Sequence, residues 1–195
     1  VRSDPAFQGI LPYEATLEKD IETIQLDAID ILVTSEIPMA YVLQENETKE
    51  SMIIDIEREE DIGRYVVYGK SYTLYQKEPA EGYAQHSPVT FTVEKENADI
   101  HFACVHGYPV TFQSDVSAKA IVYKDKDCKE PLINHLGKPM CITPKDQVFL
   151  PSGTYYYRYE DIDSHYYAIE DVFSFEVKDD KVTIQPDFMQ VKKTI

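Results

Sequence analysis

Ala40-Tyr41-Val42-Leu43 returns as Ala120-Ile121-Val122-Tyr123, and the acidic turn Glu45-Asn46-Glu47-Thr48-Lys49-Glu50 returns as Asp125-Lys126-Asp127-Cys128-Lys129-Glu130, both at a shift of 120 − 40 = 80. Further on, Pro88-Val89-Thr90-Phe91-Thr92-Val93 is answered by Val172-Phe173-Ser174-Phe175-Glu176-Val177 at a shift of 175 − 91 = 84. The second copy therefore carries a few extra residues. A repeat of this length is a whole small domain, and a string of such domains reads more readily as a spacer or multivalent binder than as a single-site enzyme.

Working outward, the local pattern is β. Ile100-His101-Phe102-Ala103-Cys104-Val105, Val110-Thr111-Phe112, Ala120 to Tyr123 and Gln147-Val148-Phe149-Leu150 are short runs of β-branched and aromatic residues, punctuated by Gly, Pro, Asp and Asn. Tyr13 to Ile24 is the best helical candidate, yet its place in the repeat favours extended chain. The expected fold is all-β, as tandem Greek-key β-sandwiches of the Ig-like or prealbumin-like kind. The expected divisions are 1–29, an N-terminal segment; 30–106, the first domain; and 107–195, the second.

Composition narrows the function classes. The 195 residues carry a formal net charge of −16, which argues against nucleic-acid phosphates and anionic membrane surfaces as partners. No apolar run reaches membrane-spanning length, and membrane insertion is not expected. No basic, apolar leader opens the sequence, so any export signal is expected to lie outside it or to have been removed. Cys104, Cys128 and Cys141 have no C-x-x-C spacing, and the five histidines include a single i, i+5 pair, His101 and His106. Neither a disulfide framework nor a metal site follows. Asp125, Asp127, Asp161, Asp163, Asp179 and Asp180 do not reproduce the calcium-loop pattern and read as turn and solvent residues. Nucleophile elbows, P-loops, zinc-helix motifs and dinucleotide fingerprints are all missing from the sequence. The expectation is no enzyme and no cofactor.

Gly69-Lys70-Ser71-Tyr72-Thr73-Leu74-Tyr75-Gln76-Lys77-Glu78-Pro79-Ala80-Glu81-Gly82-Tyr83, followed by Pro88 to Val93, resembles the signature of collagen-adhesin B-type domains, the CnaB, SpaA-like or prealbumin-like repeats of Gram-positive surface proteins and pilins. Leu150-Pro151-Ser152-Gly153-Thr154-Tyr155 is similar to that family's Leu-Pro-Pro-Gly-Lys-Tyr turn. Phe7, Pro12 and Thr16-Leu17-Glu18-Lys19 fall where Tyr83, Pro88 and Thr92-Val93-Glu94-Lys95 fall at a shift of 83 − 7 = 76, so residues 1–29 resemble the tail of a preceding repeat.

The resemblance implies a secreted, cell-wall-associated module of a cell-adhesion protein, partnered by neighbouring repeats of its own polypeptide. Many such domains join a first-strand Lys to a last-strand Asn or Asp by an intramolecular amide, promoted by a buried Glu. Desolvation deprotonates the Lys, and the Glu polarises the carbonyl. Here the expected positions are degenerate. Gln113 stands at the lysine position of the second copy, and Val33 is its equivalent at a shift of 80. Gln76 stands for the Glu, and His106 lies near the expected Asn of the first copy. In the second copy the Glu position falls on Tyr159 or Glu160, Tyr159 being preferred because it turns Tyr155, Tyr157 and Tyr159 inward and leaves Arg158 outside; Gln190 replaces the last Asn. An uncrosslinked stalk is the reading. The alternative is a direct adhesin for host matrix protein or glycan, with Tyr156, Tyr166 and Tyr167 as the ligand surface. A third reading is the accessory domain of a carbohydrate-processing enzyme.

Overall fold

The computed structural model describes residues 29–94 and 98–192. Except for Ile29, the segment taken as a preceding tail, including Tyr13 to Ile24, lies outside the described residues. The described chain divides into two units, one formed by residues 29–78 with 88–94 and 98–103 and the other by 79–87 with 104–192.

In the first unit the strands are β1 (Ile31–Ser35), β2 (Met39–Glu45), β3 (Ser51–Ile56), β4 (Glu59–Asp61), β5 (Ser71–Gln76), β6 (Val89–Thr92) and β7 (Ala98–Phe102). They form a three-stranded sheet in the order β4-β1-β7 and a four-stranded sheet in the order β3-β2-β5-β6. Period-two alternation decides which side chains go inward. Ile31 and Val33 from the first sheet are buried, as are Tyr41, Leu43, Tyr72 and Leu74 from the second. The Tyr41 ring of β2 stacks on Phe102 of β7 at 4.4 Å, which ties one sheet to the other. The outer face of β5 and β6 is a hydroxyl ladder, with Ser71 Oγ 2.7 Å from Thr92 Oγ1 and Thr73 Oγ1 3.0 Å from Thr90 Oγ1.

The second unit contains β8 (Tyr108–Phe112), β9 (Lys119–Tyr123), β10 (Cys141–Ile142), β11 (Gln147–Leu150), β12 (Gly153–Glu160), β13 (Tyr166–Ala168), β14 (Phe173–Val177), β15 (Val182–Ile184) and β16 (Phe188–Gln190). Its sheets run β11-β8-β15 and β10-β9-β12-β14, with β13 and β16 as a separate two-stranded ribbon. One core joins Val110 and Phe112 of the first sheet to Val122, Tyr155, Tyr157 and Val177 of the second. With the β13–β16 ribbon set aside, both units are all-β sandwiches with one strand order: the first strand pairs with the fourth and the last, the second with the third and the fifth. An immunoglobulin constant domain instead groups its strands as ABED and CFG.

The structure corrects the 80-residue shift at the level of faces. Tyr41 and Leu43 point into the first core, whereas Ala120 and Val122 point into the second. Tyr41 lies opposite Gln76, and Ala120 lies opposite Tyr159. The strands correspond at a shift of 120 − 41 = 79, and matching Ala40 to Ala120 reverses inside and outside, because a one-residue slip flips every side chain.

The segment Pro79–Ser87 packs within the second unit. Ala84 N–H donates to the Val105 carbonyl at 2.8 Å and Gly107 N–H to the Gly82 carbonyl at 2.9 Å. Gln85 Oε1 accepts from His135 N–H at 3.0 Å and lies 2.9 Å from its Nδ1. Gly107 sits so close to β11 that a Cβ there would meet the Phe149 carbonyl carbon at 2.9 Å, which only glycine avoids.

Candidate functional site

The first and last strands of each sandwich lie side by side and parallel. In the first unit Val33 is opposite Ile100 and Ser35 opposite Phe102; in the second Val110 is opposite Val182 and Phe112 opposite Ile184. This is the geometry in which a first-strand side chain meets a last-strand one, and apart from Ser35 the inward groups in these pairs are hydrocarbon. Val33 is fully buried and Ile100 nearly so.

The other sequence-derived positions are not gathered around those pairs. Gln113 is exposed beyond the end of β8, and the inward residue beside it is Phe112. His106 lies past the end of β7, exposed, bridged to Tyr83 and edge-on to Tyr108 at 4.9 Å. Gln190 belongs to β16, which pairs with β13 and not with β8. Gln113 and His106 fall just outside the paired segments of β8 and β7, and Gln190 belongs to a different strand pair.

Gln76 and Tyr159 lie at matching places on β5 and β12. Tyr72 stacks on Phe91 at 6.0 Å in the first unit and Tyr155 on Phe175 at 5.6 Å in the second; counting four residues on from each tyrosine reaches Gln76 and Tyr159. The Gln76 side chain is 0 % exposed, and its Nε2 donates to Met39 Sδ at 2.8 Å. Tyr159 is packed by Phe112 at 5.7 Å, Phe173 at 5.1 Å and Phe188 at 4.8 Å, and its hydroxyl donates to Tyr157 Oη at 3.4 Å. Burial pushes the Tyr159 phenol far above its ordinary value, and the Tyr157 hydrogen bond adds to the shift. Arg158 is exposed.

The three tyrosines singled out as a ligand surface do not share one. Tyr156 is half-buried against a satellite cluster of Ile121, Tyr123 and Cys128 on the outer side of the four-stranded sheet. Tyr166 is partly buried opposite Gln190. Tyr167 is exposed, opposite Met189, its hydroxyl 3.7 Å from Met189 Sδ. Sequence reasoning missed Met189 and its neighbours Ile169 and Val191, although Tyr167-Ala168-Ile169 and Met189-Gln190-Val191 already show the alternation.

The carboxylates serve turns and surface pairs. Glu45 accepts from Glu47 N–H at 2.9 Å and Thr48 N–H at 2.8 Å; hydrogen bonds from Thr48 and from the Glu47 backbone lower its carboxyl to about 2. Lys70 pairs with Glu47 and Lys119 with Asp161. Asp163 Oδ1 accepts from His165 N–H at 2.9 Å and lies 2.8 Å from His165 Nδ1. Among the described residues no three His, Cys, Asp or Glu converge on a possible metal position. The described residues include two open depressions. One, of about 400 Å³, lies between Leu43, Met52, Tyr65 and Tyr72 with Glu45, Glu50 and Lys70 at its rim. The other, of about 380 Å³, lies beside Arg158, Tyr159, Ile162, Glu170 and Asp171.

No protein-family description and no curated protein matches the chain. Among solved structures it is similar to the TIE protein of Bacillus anthracis, at 16% identity and a TM-score of 0.32, over 84% of this chain and 34% of that one. A Streptococcal ancillary pilin is similar at 13% identity and a TM-score of 0.31, over 81% of this chain and 61% of that one. The minor pilin GBS52 of Streptococcus agalactiae is similar at 8% identity and a TM-score of 0.32, over 86% of this chain and 98% of that one. The chain spans about a third of the first of these and three-fifths of the second.

Proposed function

We propose that this chain is a non-catalytic, load-bearing stalk module of a Gram-positive surface adhesin or pilin, lacking the Lys-Asn cross-link of the repeats it resembles in sequence. The observation that carries the reading is the parallel pairing of first and last strands in both units. Tension on a stalk pulls the first strand backwards from its start and the last strand forwards from its end. In a parallel pair these are opposite ends, so the hydrogen bonds between the strands are sheared together and not opened one by one. The buried Val33, Ile100, Val110 and Phe112 exclude water from those bonds. The Gram-positive surface attribution rests on the Gly69 to Tyr83 signature and its following strand.

Force spectroscopy tests this, with handles attached through noncanonical side chains. Handles at His106 and Gln185 load β8 against β15 in shear, whereas handles at Gln113 and Gln185 pull the same ends of the pair apart. A several-fold higher rupture force is expected in the first geometry. Equal forces would remove the mechanical argument.

A second reading, a direct ligand-binding adhesin, is favoured by one observation, the exposed apolar face of the β13–β16 ribbon that includes Tyr167.

A further inference from the structure

Among the described residues, the ribbon of β13 and β16 has no counterpart in the strand order of the first unit. One of its faces is anchored, with Phe188 against the Tyr159 ring at 4.8 Å and Ala168 beside Tyr159 in the adjoining depression. Alternation sends the intervening residues the other way. Tyr167 is 47 % exposed, and Ile169, Met189 and Val191 are each 48 % exposed. Tyr167 lies directly opposite Met189. The ladder continues one step further, with Val191 N–H donating to the His165 carbonyl at 2.7 Å, which places Val191 beside the same face. Four large apolar side chains on one side of one ribbon form a patch, unlike the single exposed apolar residues common on soluble surfaces.

The charges around the patch choose its occupant. Glu170 and Asp171 follow Ile169 directly, and by the ribbon's register Asp187 lies across from Ile169. At the other end Asp163 is paired with His165, and Lys192 follows Val191. The surroundings are thus mainly acidic on a chain of net charge −16. A second copy docked face to face would bring like charges together, and four side chains are far fewer than the ~20–30 residues a side of a stable dimer interface.

We propose that this face binds a short apolar segment of another protein flanked by lysine or arginine, the apolar centre covering Tyr167, Ile169, Met189 and Val191 and the basic flanks meeting Glu170, Asp171 and Asp187. The proposal rests on the ligand-binding reading and is independent of the mechanical one.

The probe is a labelled synthetic peptide with Ile, Phe and Val at its centre and Lys at both ends, followed by fluorescence anisotropy against the full chain. A peptide with the same centre and Glu at both ends is the charge control. Binding of the Lys-flanked peptide is expected to exceed that of the Glu-flanked one by at least tenfold and to weaken several-fold as salt screens the flanks. The double variant Ile169→Ser with Met189→Ser is expected to lose about tenfold in affinity, as for truncation of a central interface contact. Ile53→Ser, an exposed residue of the first unit, is expected to change nothing. An unchanged melting transition shows that the double variant is folded, and single Met189→Ser serves if it is not.

Equal binding of both peptides, equal binding by the double variant, or binding by neither peptide overturns the proposal. So does self-association of the chain that disappears in the double variant, which would make the occupant a second copy. If binding survives the double variant and falls with Tyr156→Ser, the ligand-binding reading stands and the ribbon assignment fails.

Discussion

Val33 and Ile100 face each other across the parallel pairing of β1 and β7, both buried. Neither carries an amine, amide or carboxyl, so this pair cannot form an amide. The intact mass should equal the sequence mass, with no loss of ammonia or water. A deficit mapped by proteolysis to a peptide containing β1 and β7 would contradict the assigned register. The same contact is a stability contact, and Ile100→Ala is expected to cost about 2–5 kcal/mol by denaturant unfolding.

Tyr41 opposite Gln76 and Ala120 opposite Tyr159 are two solutions to one volume requirement. In the first unit the large ring sits on the second strand; in the second it sits on the fifth. Tyr159→Ala should cost about 3–5 kcal/mol, because four aromatic neighbours lose their contact, and Ala120→Tyr alone about 1–3 kcal/mol from overpacking. Combining Ala120→Tyr with Tyr159→Gln imports the first unit's arrangement and is expected to be less destabilising than the sum of the single changes. Strict additivity in that cycle would show that the two positions do not share space.

The class of the fold was legible because both its signals are local. Alternation in Tyr72 to Gln76 and Tyr155 to Tyr159 fixes which side chains face inward, and Gly and Pro mark the turns. What was not legible follows from the weakness of each signal over distance. The match of Ala40 to Ala120 came from short-range similarity, while the true correspondence is set by opposing residues on β5 and β12, remote in sequence. Gln113 and His106 lie beyond strand ends and Gln190 in another strand pair for the same reason, since hydrogen bonding to distant strands decides where β7 and β8 stop and that β15 is the partner of β8. The ribbon's apolar face required knowing that Phe188 is anchored, because only then do Met189 and Val191 point outward.

Glu45 supplies the acid-side prediction. Its folded pKa is lowered from 4.5 to about 2 by hydrogen bonds from Thr48 and the Glu47 backbone. A depressed carboxyl contributes stability above its unfolded pKa and loses it as pH falls through the folded one. The contribution is therefore present at neutral pH and disappears between about pH 4.5 and pH 2. Glu45→Gln should lower stability at pH 7 and flatten the acid limb across that window, read by thermal melts at a series of pH values. An acid limb identical to that of the parent would show that the turn's hydrogen bonds do not persist in solution.

The alkaline side belongs to the tyrosine core of the second unit. Burial raises the phenols of Tyr155, Tyr157 and Tyr159 above the ordinary value of 10.0, and for Tyr159 the hydrogen bond to Tyr157 adds to the effect. A group whose folded pKa is raised contributes stability that is complete below its unfolded pKa and is lost as pH climbs towards the folded one. These rings should therefore stabilise the sandwich fully at neutral pH and weaken it progressively above about pH 10. Their phenolate absorbance should appear together with unfolding. Tyr159→Phe keeps the ring packing, removes the most strongly shifted phenol, and should move the alkaline transition to higher pH at little cost at pH 7. Complete ionisation of all tyrosines with the near-ultraviolet circular dichroism intact would mean that water reaches the Tyr159 hydroxyl, and that the aromatic contacts around Tyr159 do not seal this end of the core.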